Sequence, residues 1–499
     1  MGVAEPRQPG SLLKRIVSEA ALTLVADAAV LVAFFVFYRL LLDQYGAENL
    51  GLYALMRRYS AIAVPLLVLG LSDGLARFVA QTATPATRTR LVIAGAFGVL
   101  VANAVACAAV NADPAASAGW LFGDAGAREA VMPFSLLVVG LSTHLFVYGC
   151  HRGHLRIALL NAMQLFNLGV MPVALLLLFP HATFTRMVAL IGIAHVAVAL
   201  GFLAPLLRKP SVQIAAEAQP ASARSLYAFG VSRIPAAMVG AALASVAPII
   251  AKDYVSLTEV GYLALALALL IAVGGAIAPL GTVLLPHISA LRSDTRAVGE
   301  RLHLLIGFTL QVYLFGTLQF LALADYLIAS WMGTGFLPAV TVTRIVLASL
   351  PFYGFYCAAR GVLDAVSTRP INSVNTVISL LVLLGVLLAA VNFRARLDFG
   401  LIDLFGFGCA LAVAVLGLLS YAALRTIFPR DRGKDARHAV WGLVLAGGLF
   451  VLSIAVRPLV TSSLPLLAAY ECLLFCLYVA ALHLLRFEWP RIVLGRAAP

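Results

Sequence analysis

Arginine set into apolar sequence is the first chemistry this chain offers. Arg39, Arg57, Arg58, Arg77, Arg233 and Arg344 all lie within or beside long apolar stretches. A guanidinium stays charged when buried, and its planar fork grips phosphate oxygens two at a time. Holding one in hydrocarbon costs at least a few kcal/mol, so each is a candidate for function. Arg233 falls five residues from the middle of the stretch 224–251, about 7 Å at ~1.5 Å per residue. Arg344 falls six residues from the middle of 338–362, about 9 Å. These two are expected to line a binding cavity. Arg39, Arg57, Arg58 and Arg77 stand nearer helix ends, where a long side chain reaches the interface, and are secondary cavity candidates.

The acids are fewer. Asp27 stands almost at the centre of the first apolar stretch, and Asp325 and Glu471 are further candidate ion or proton sites. Asp73 and Arg77, four apart, are expected to form an ion pair along one helix. Asp27, Asp73 and Asp325 are the coupling or gating candidates. His151 and His154 have the spacing of a metal pair but stand beside Arg152 and Arg156, so a charged turn is expected and no metal site. The six cysteines (Cys107, Cys150, Cys357, Cys409, Cys472 and Cys476) read as small core residues. A phosphate-binding loop needs Gly-x-x-x-x-Gly-Lys-Ser/Thr. None of Lys14, Lys209, Lys252 and Lys434 completes it. No cofactor is expected.

What must position these residues follows from composition. Of 499 residues 62% are hydrophobic and 11% charged, against roughly 25% charged in a soluble domain. So apolar a chain needs lipid as its outer solvent, and no long polar block leaves room for a soluble catalytic domain. Apolar stretches long enough to span a bilayer, roughly 20 residues each, recur from 16–42 and 52–82 to 462–486 and predict about fourteen helices. The polar start ending in Lys14 and Arg15 runs into an apolar helix too long for a signal peptide, which is expected to stay in the membrane.

Basic residues cluster on alternate loops: Arg7, Lys14 and Arg15, then Arg88, Arg90, Arg152 and Arg156, then Arg208, Lys209 and Arg224, then Arg430, Arg432 and Lys434. Asp43, Glu48, Asp113, Asp124, Asp253 and Glu259 occupy the others. That asymmetry predicts both termini on the cytoplasmic side of a bacterial inner membrane. It also accounts for the net charge of +13 without nucleic acid as a partner.

The chain repeats itself. Glu48-Asn-Leu-Gly51-Leu-Tyr is answered by Glu259-Val-Gly261-Tyr, and Leu69-Gly70-Leu71 by Leu280-Gly281-Thr282. Arg152-Gly153 is answered by Arg360-Gly361, and Asn167 by Asn375, all at offsets of 208–211 residues. The organisation predicted is a lobe of six helices over 1–207, a polar cytoplasmic linker at 208–223, a second six-helix lobe over 224–427, and two extra helices over 428–499. Six is even, so the lobes enter the membrane from the same side, related by a pseudo-twofold along its normal, with a substrate site at their interface. Arg152 and Arg360 then stand at equivalent lobe ends as anchors or gates. The repeat offset also places Arg233 level with a position one turn from Asp27, which predicts that the two face one cavity. Pro65, Pro235, Pro248, Pro279 and Pro351 are expected to kink their helices.

These residues carry a resemblance. Arg39-Leu-Leu-Leu-Asp-Gln-Tyr-Gly46-Ala-Glu48-Asn-Leu-Gly51-Leu-Tyr53, Leu69-Gly70-Leu-Ser-Asp73-Gly74-Leu-Ala-Arg77 and Thr258-Glu259-Val-Gly261-Tyr262 with Pro286-His-Ile-Ser289 resemble polysaccharide flippases. The likeness is to the Wzx-type, O-antigen branch of the multidrug/oligosaccharidyl-lipid/polysaccharide (MOP) exporter superfamily, over roughly 10–430. It implies alternating access by two lobes, driven by H+ or Na+ or by the membrane potential. It implies a polyprenyl-pyrophosphate-linked oligosaccharide as substrate, for polysaccharide or lipopolysaccharide synthesis. Membrane lipids, a polysaccharide polymerase and chain-length machinery are the implied partners. A peptidoglycan-precursor flippase and a cation-coupled multidrug extruder are rival readings. A membrane polymerase or ligase is a weaker one, because the longest outer loop, 112–127, offers only Asp113 and Asp124. The chain is expected not to be an enzyme.

Overall fold

The computed structural model describes residues 9–82, 84–208, 222–275, 295–366, 370–394, 399–428 and 432–485. Most of the linker, the Leu280-Gly281 motif, Pro279 and both chain ends lie outside them. The described chain is a succession of helices. Twelve are long and apolar enough to cross a membrane, or thirteen if the bent pair Ala339–Leu347 and Leu350–Asp364 is one span. The protein is a multi-pass, all-α membrane protein.

By contact the chain falls into two compact units, residues 1–264 and 265–499. The first contains α1 (Pro9–Leu67), α2 (Leu71–Gln81), α3 (Pro85–Ala112), α4 (Pro114–Phe122), α5 (Val131–Gly153), α6 (Ile157–Gln164), α7 (Met171–Leu178), α8 (Phe184–Arg208), α9 (Ala223–Ala251) and the start of α10 (Leu257–Gly275). The apolar part of α1, Ala21–Leu67, is 47 residues, or about 70 Å at ~1.5 Å per residue and roughly twice the hydrocarbon thickness. It is interrupted at Gly46, whose φ of 79° takes it out of helical geometry. Where the sequence pattern suggested a gap between 42 and 52, helix continues to either side of that one residue. A six-residue π-helical segment, Leu165–Val170, joins α6 to α7.

The second unit contains α11 (Thr295–Met332), α12 (Ala339–Leu347), α13 (Leu350–Val366), α14 (Ile371–Phe393), α15 (Leu401–Ile427), α16 (Arg432–Val460) and α17 (Leu464–Leu484). The expected tenth helix, 338–362, is two helices bent by 43°, and Pro351 opens the second of them. Pro235 and Pro248 lie inside α9, which runs through both. Helices α16 and α17 belong to this unit. Tyr478 hydrogen-bonds Gln311 at 2.5 Å, Ser453 hydrogen-bonds Gln319 at 2.5 Å, and Arg457 hydrogen-bonds Asp325, so three side chains in succession along α11 hold the last two helices. Buried Phe315, Ala446, Leu474, Tyr478 and Leu482 close the apolar part of that contact.

One side-chain expectation changes here. Cys107 is half-buried and Cys150, Cys357 and Cys409 are buried, but Cys472 and Cys476 are exposed. Only one stripe of α17 packs inward, and these two share an outward face. Within the charged turn at 151–156, His151 is itself fully buried, its ring against Phe202. No group that would hold a metal ion occurs among the described residues.

Candidate anion-binding site

The site begins with a break. After α1 ends at Leu67, Leu69 and Gly70 take φ values of 56° and 62°, and α2 starts again at Leu71. Left-handed backbone costs a side-chain-bearing residue roughly 1–2 kcal/mol, so something must hold Leu69 there. Helix α9 does. A β-carbon on Gly70 would lie 2.1 Å from the carbonyl oxygen of Gly230, and one on Gly230 would lie 2.5 Å from that of Leu69. The absence of both side chains lets α9 lie against the break. Around this contact Leu226 is fully buried beside Gly74, and the Tyr227 hydroxyl donates to the Ala94 carbonyl at 2.7 Å, fastening α9 to α3.

That seating decides what the next turns present. The guanidinium carbon of Arg77, on α2, stands 4.9 Å from the centroid of the Phe229 ring. That of Arg233, one turn along α9, stands 4.9 Å from the same centroid. The two cations are therefore at most about 10 Å apart, each within cation–π reach of one ring. Both side chains are exposed. Neither has a carboxylate within 4.0 Å among the described residues. Phe78 meets Phe229 edge-on at 5.7 Å and gives the pair an apolar wall. Two exposed guanidiniums with no acid between them suit a doubly charged anion with oxygens at both ends, as in a diphosphate.

Asp73 does not pair with Arg77, as its spacing suggested. Its Oδ1 accepts from Nη1 of Arg152 at 3.1 Å, joining α2 to α5. Arg77 is drawn to Phe229 and Asp73 to a helix 79 residues away, both tertiary contacts invisible to helix spacing. The Arg152 guanidinium also stands 5.9 Å from the Tyr148 ring. Arg360, matched with it in the sequence pattern, is exposed.

Asp27 and Arg233, expected to face one cavity, each have a partner of their own, Phe229 in the case of Arg233. Asp27 accepts from Gln164 at 2.8 Å, beside a bond from Asn161 to Thr23 at 3.0 Å, and the two bonds tie α1 to α6. Arg39 pairs with Asp43 at 2.8 Å. Arg58 is buried and donates to the Ala264 carbonyl at 2.6 Å. Half-buried Arg57 lies within electrostatic reach of His144 and His195.

Those two imidazoles share one carboxamide. Asn167 lies in the π segment, its Nδ2 3.0 Å from Nδ1 of His144 and its Oδ1 2.9 Å from Nδ1 of His195. All three are buried. In the sequence Asn167 is marked only by its match to Asn375, and nothing marks the two histidines, which stand 28 residues or fewer from it but on different helices.

In the second unit Arg344 and Asp325 meet, with a third residue that sequence reasoning did not single out. Nη2 of Arg344 lies 3.5 Å from Asp325 Oδ1, and Nη2 of Arg457 lies 2.5 Å from Asp325 Oδ2. The depth expected for Arg344 assumed one straight helix. It stands instead in the last turn of the short α12, just before the bend. Glu471 is half-buried, and its Oε1 has no hydrogen-bond partner among the described residues.

No family model matches this chain, and no curated protein matches it by sequence. Solved structures do. The lipid II flippase MurJ in an inward closed conformation matches with a TM-score of 0.67 at 13% identity, over 95% of this chain and 98% of that one. An inward-facing multidrug resistance transporter of the MATE family, of the MOP superfamily, matches with a TM-score of 0.63 at 13% identity, over 82% and 98%. The MATE multidrug transporter DinF-BH matches with a TM-score of 0.60, also at 13% identity, over 86% and 100%. The chain therefore has the fold of MOP-type membrane transporters.

Proposed function

We propose that this protein transports a lipid-linked oligosaccharide across a bacterial inner membrane for polysaccharide synthesis. The observation that carries the reading is the pair Arg77 and Arg233, without acid partners among the described residues, on the ring of Phe229. A diphosphate cannot enter hydrocarbon without compensating charge, and two guanidiniums held one ring apart supply it without a metal-binding motif or nucleotide. The MurJ likeness supports a lipid-borne substrate, and the flippase resemblance of Gly46–Gly51 and Leu69–Arg77 supports a sugar polymer precursor. The MATE likenesses support a rival, export of a small organic cation. Arginines without acid partners repel such cargo, so we rank it second.

The same reading takes Ala21–Leu67 as two crossings meeting at Gly46 and the bent pair α12–α13 as one, which makes fourteen spans with both termini cytoplasmic. Two six-helix repeats related by a pseudo-twofold then alternate access. Asp27, hydrogen-bonded to Gln164, is the first candidate for coupling to H+ or Na+. A strain lacking the protein tests the reading. Lipid-linked repeat units held in the inner leaflet are expected; unpolymerised units on the outer face would point instead to a polymerase.

A further inference from the structure

The cluster of Arg344, Arg457 and Asp325 has more positive charge than it needs to hold itself together. Each guanidinium carries five N–H donors. Among the described residues Arg344 places one, its Nε, on the Leu321 carbonyl at 3.0 Å, and Arg457 places one on Asp325. The two contacts of the carboxylate are unequal. Arg457 is hydrogen-bonded at 2.5 Å, whereas Arg344 stands off at 3.5 Å, and Asp325 Oδ1 has no hydrogen bond among the described residues. The side chains of Arg344 and Arg457 remain 40% and 35% exposed, so a ligand has room to reach both.

Position along the helices places the cluster at one end of the second unit. Asp325 lies seven residues before the end of α11, Arg344 five residues into α12, and Arg457 three residues before the end of α16. The turns 332–339 and 460–464 mark that end. Under the threading that loop charge favours, it is the outer one. Two arginines and one acid leave the cluster a net charge of +1 where helices meet the interface, so a further anion would complete it.

We propose that Arg344 and Arg457 form a second phosphoryl-binding site, in which Asp325 is a built-in counter-ion that the incoming anion displaces from Arg344. The occupant is a phosphorylated headgroup at the outer leaflet, either of the transported lipid or of a resident anionic phospholipid. The proposal rests on the function proposed above for the first source but not for the second.

The full chain in detergent, titrated separately with farnesyl diphosphate, phosphatidylglycerol and phosphatidylcholine, tests it. Working in an Arg77→Gln/Arg233→Gln background removes the first site, so whatever phosphoryl binding remains reports on the second. Adding Arg344→Gln is expected to weaken that binding about tenfold, the loss of one charge-assisted bidentate contact. Asp325→Asn, which removes the competing carboxylate, is expected to strengthen it several-fold. A loss confined to phosphatidylglycerol identifies a resident lipid; a loss with farnesyl diphosphate identifies the cargo. If Arg344→Gln folds poorly, Arg344→Lys, which keeps the charge but not the fork, is expected to weaken binding less. No loss with either phosphoryl lipid, or an Asp325→Asn variant that melts earlier with no gain in affinity, overturns the proposal in favour of a structural ion cluster. Failure of the first site would appear separately, as unchanged total binding in the Arg77→Gln/Arg233→Gln background alone.

Discussion

Gly51 packs against Gly261: a β-carbon on Gly261 would lie 3.0 Å from the Cα of Gly51. The two glycines stand at matching places in the motifs that suggested a duplicated chain. The tolerances on the two sides differ. A β-carbon on Gly51 would fall 1.8 Å from the Leu257 carbonyl oxygen, so backbone must move. Gly51→Ala is expected to destabilise by about 1–3 kcal/mol, as overpacking does, and Gly261→Ala by less. Thermal unfolding of the purified variants checks the order, and equal melting temperatures would contradict it.

Gly230 lies beside the break at Leu69 and Gly70 and sets where α9 runs. Gly230→Ala is therefore expected to push α9 off the break and separate Arg77 from Phe229 and Arg233. Farnesyl diphosphate affinity should fall at least several-fold in a chain that still folds. Gly240→Ala, on the same helix with nothing within 4 Å of its β-carbon position, is the control expected to change neither property.

The Asp73–Arg152 bridge joins two side chains that are 59% and 44% exposed. Exposed pairs contribute roughly 0–1 kcal/mol. Asp73→Asn is thus expected to leave the melting temperature nearly unchanged. If the bridge gates one end of the first unit, transport changes in Asp73→Asn and returns in the charge-swapped Asp73→Arg/Arg152→Asp. A swap that stays as impaired as the single variant would rule out a gate built on this pair.

Asn167 and Asn375, matched in the sequence pattern, have unequal burdens. Asn167 is completely buried and serves two imidazoles, whereas the amide nitrogen of Asn375 has no hydrogen-bond partner among the described residues. Stranding a buried polar group costs about 1–3 kcal/mol. Asn167→Ala should therefore melt well below Asn375→Ala. Comparable losses would mean that the histidine pair contributes little.

Much of this molecule is readable from its residues, for reasons particular to membranes. Helices declare themselves because hydrocarbon demands long apolar runs, but the expected helix 52–82 is broken at Leu69 and Gly70, which an unbroken apolar run does not reveal. Arg77 and Arg233 stand out because charge in such runs is costly. What stays hidden is the third partner. Phe229 is one apolar residue among many until α9 seats on Gly70, though its place one turn before Arg233 is a local signal for stacking. Arg457 is 132 residues from Asp325, in the last helix pair, and only tertiary contact reveals the bond. The bend after Leu347, which divides the expected tenth helix in two, is likewise invisible to hydrophobic periodicity.

Transfer of a fluorescent, sugar-bearing isoprenoid diphosphate across proteoliposome membranes tests the central claim most directly. The wild-type chain is expected to move it between leaflets, and Arg77→Gln/Arg233→Gln to reduce the rate at least tenfold while melting within a few degrees of wild type. Transfer at the wild-type rate by that double variant would contradict the assignment of the arginine pair as the place where the headgroup is held.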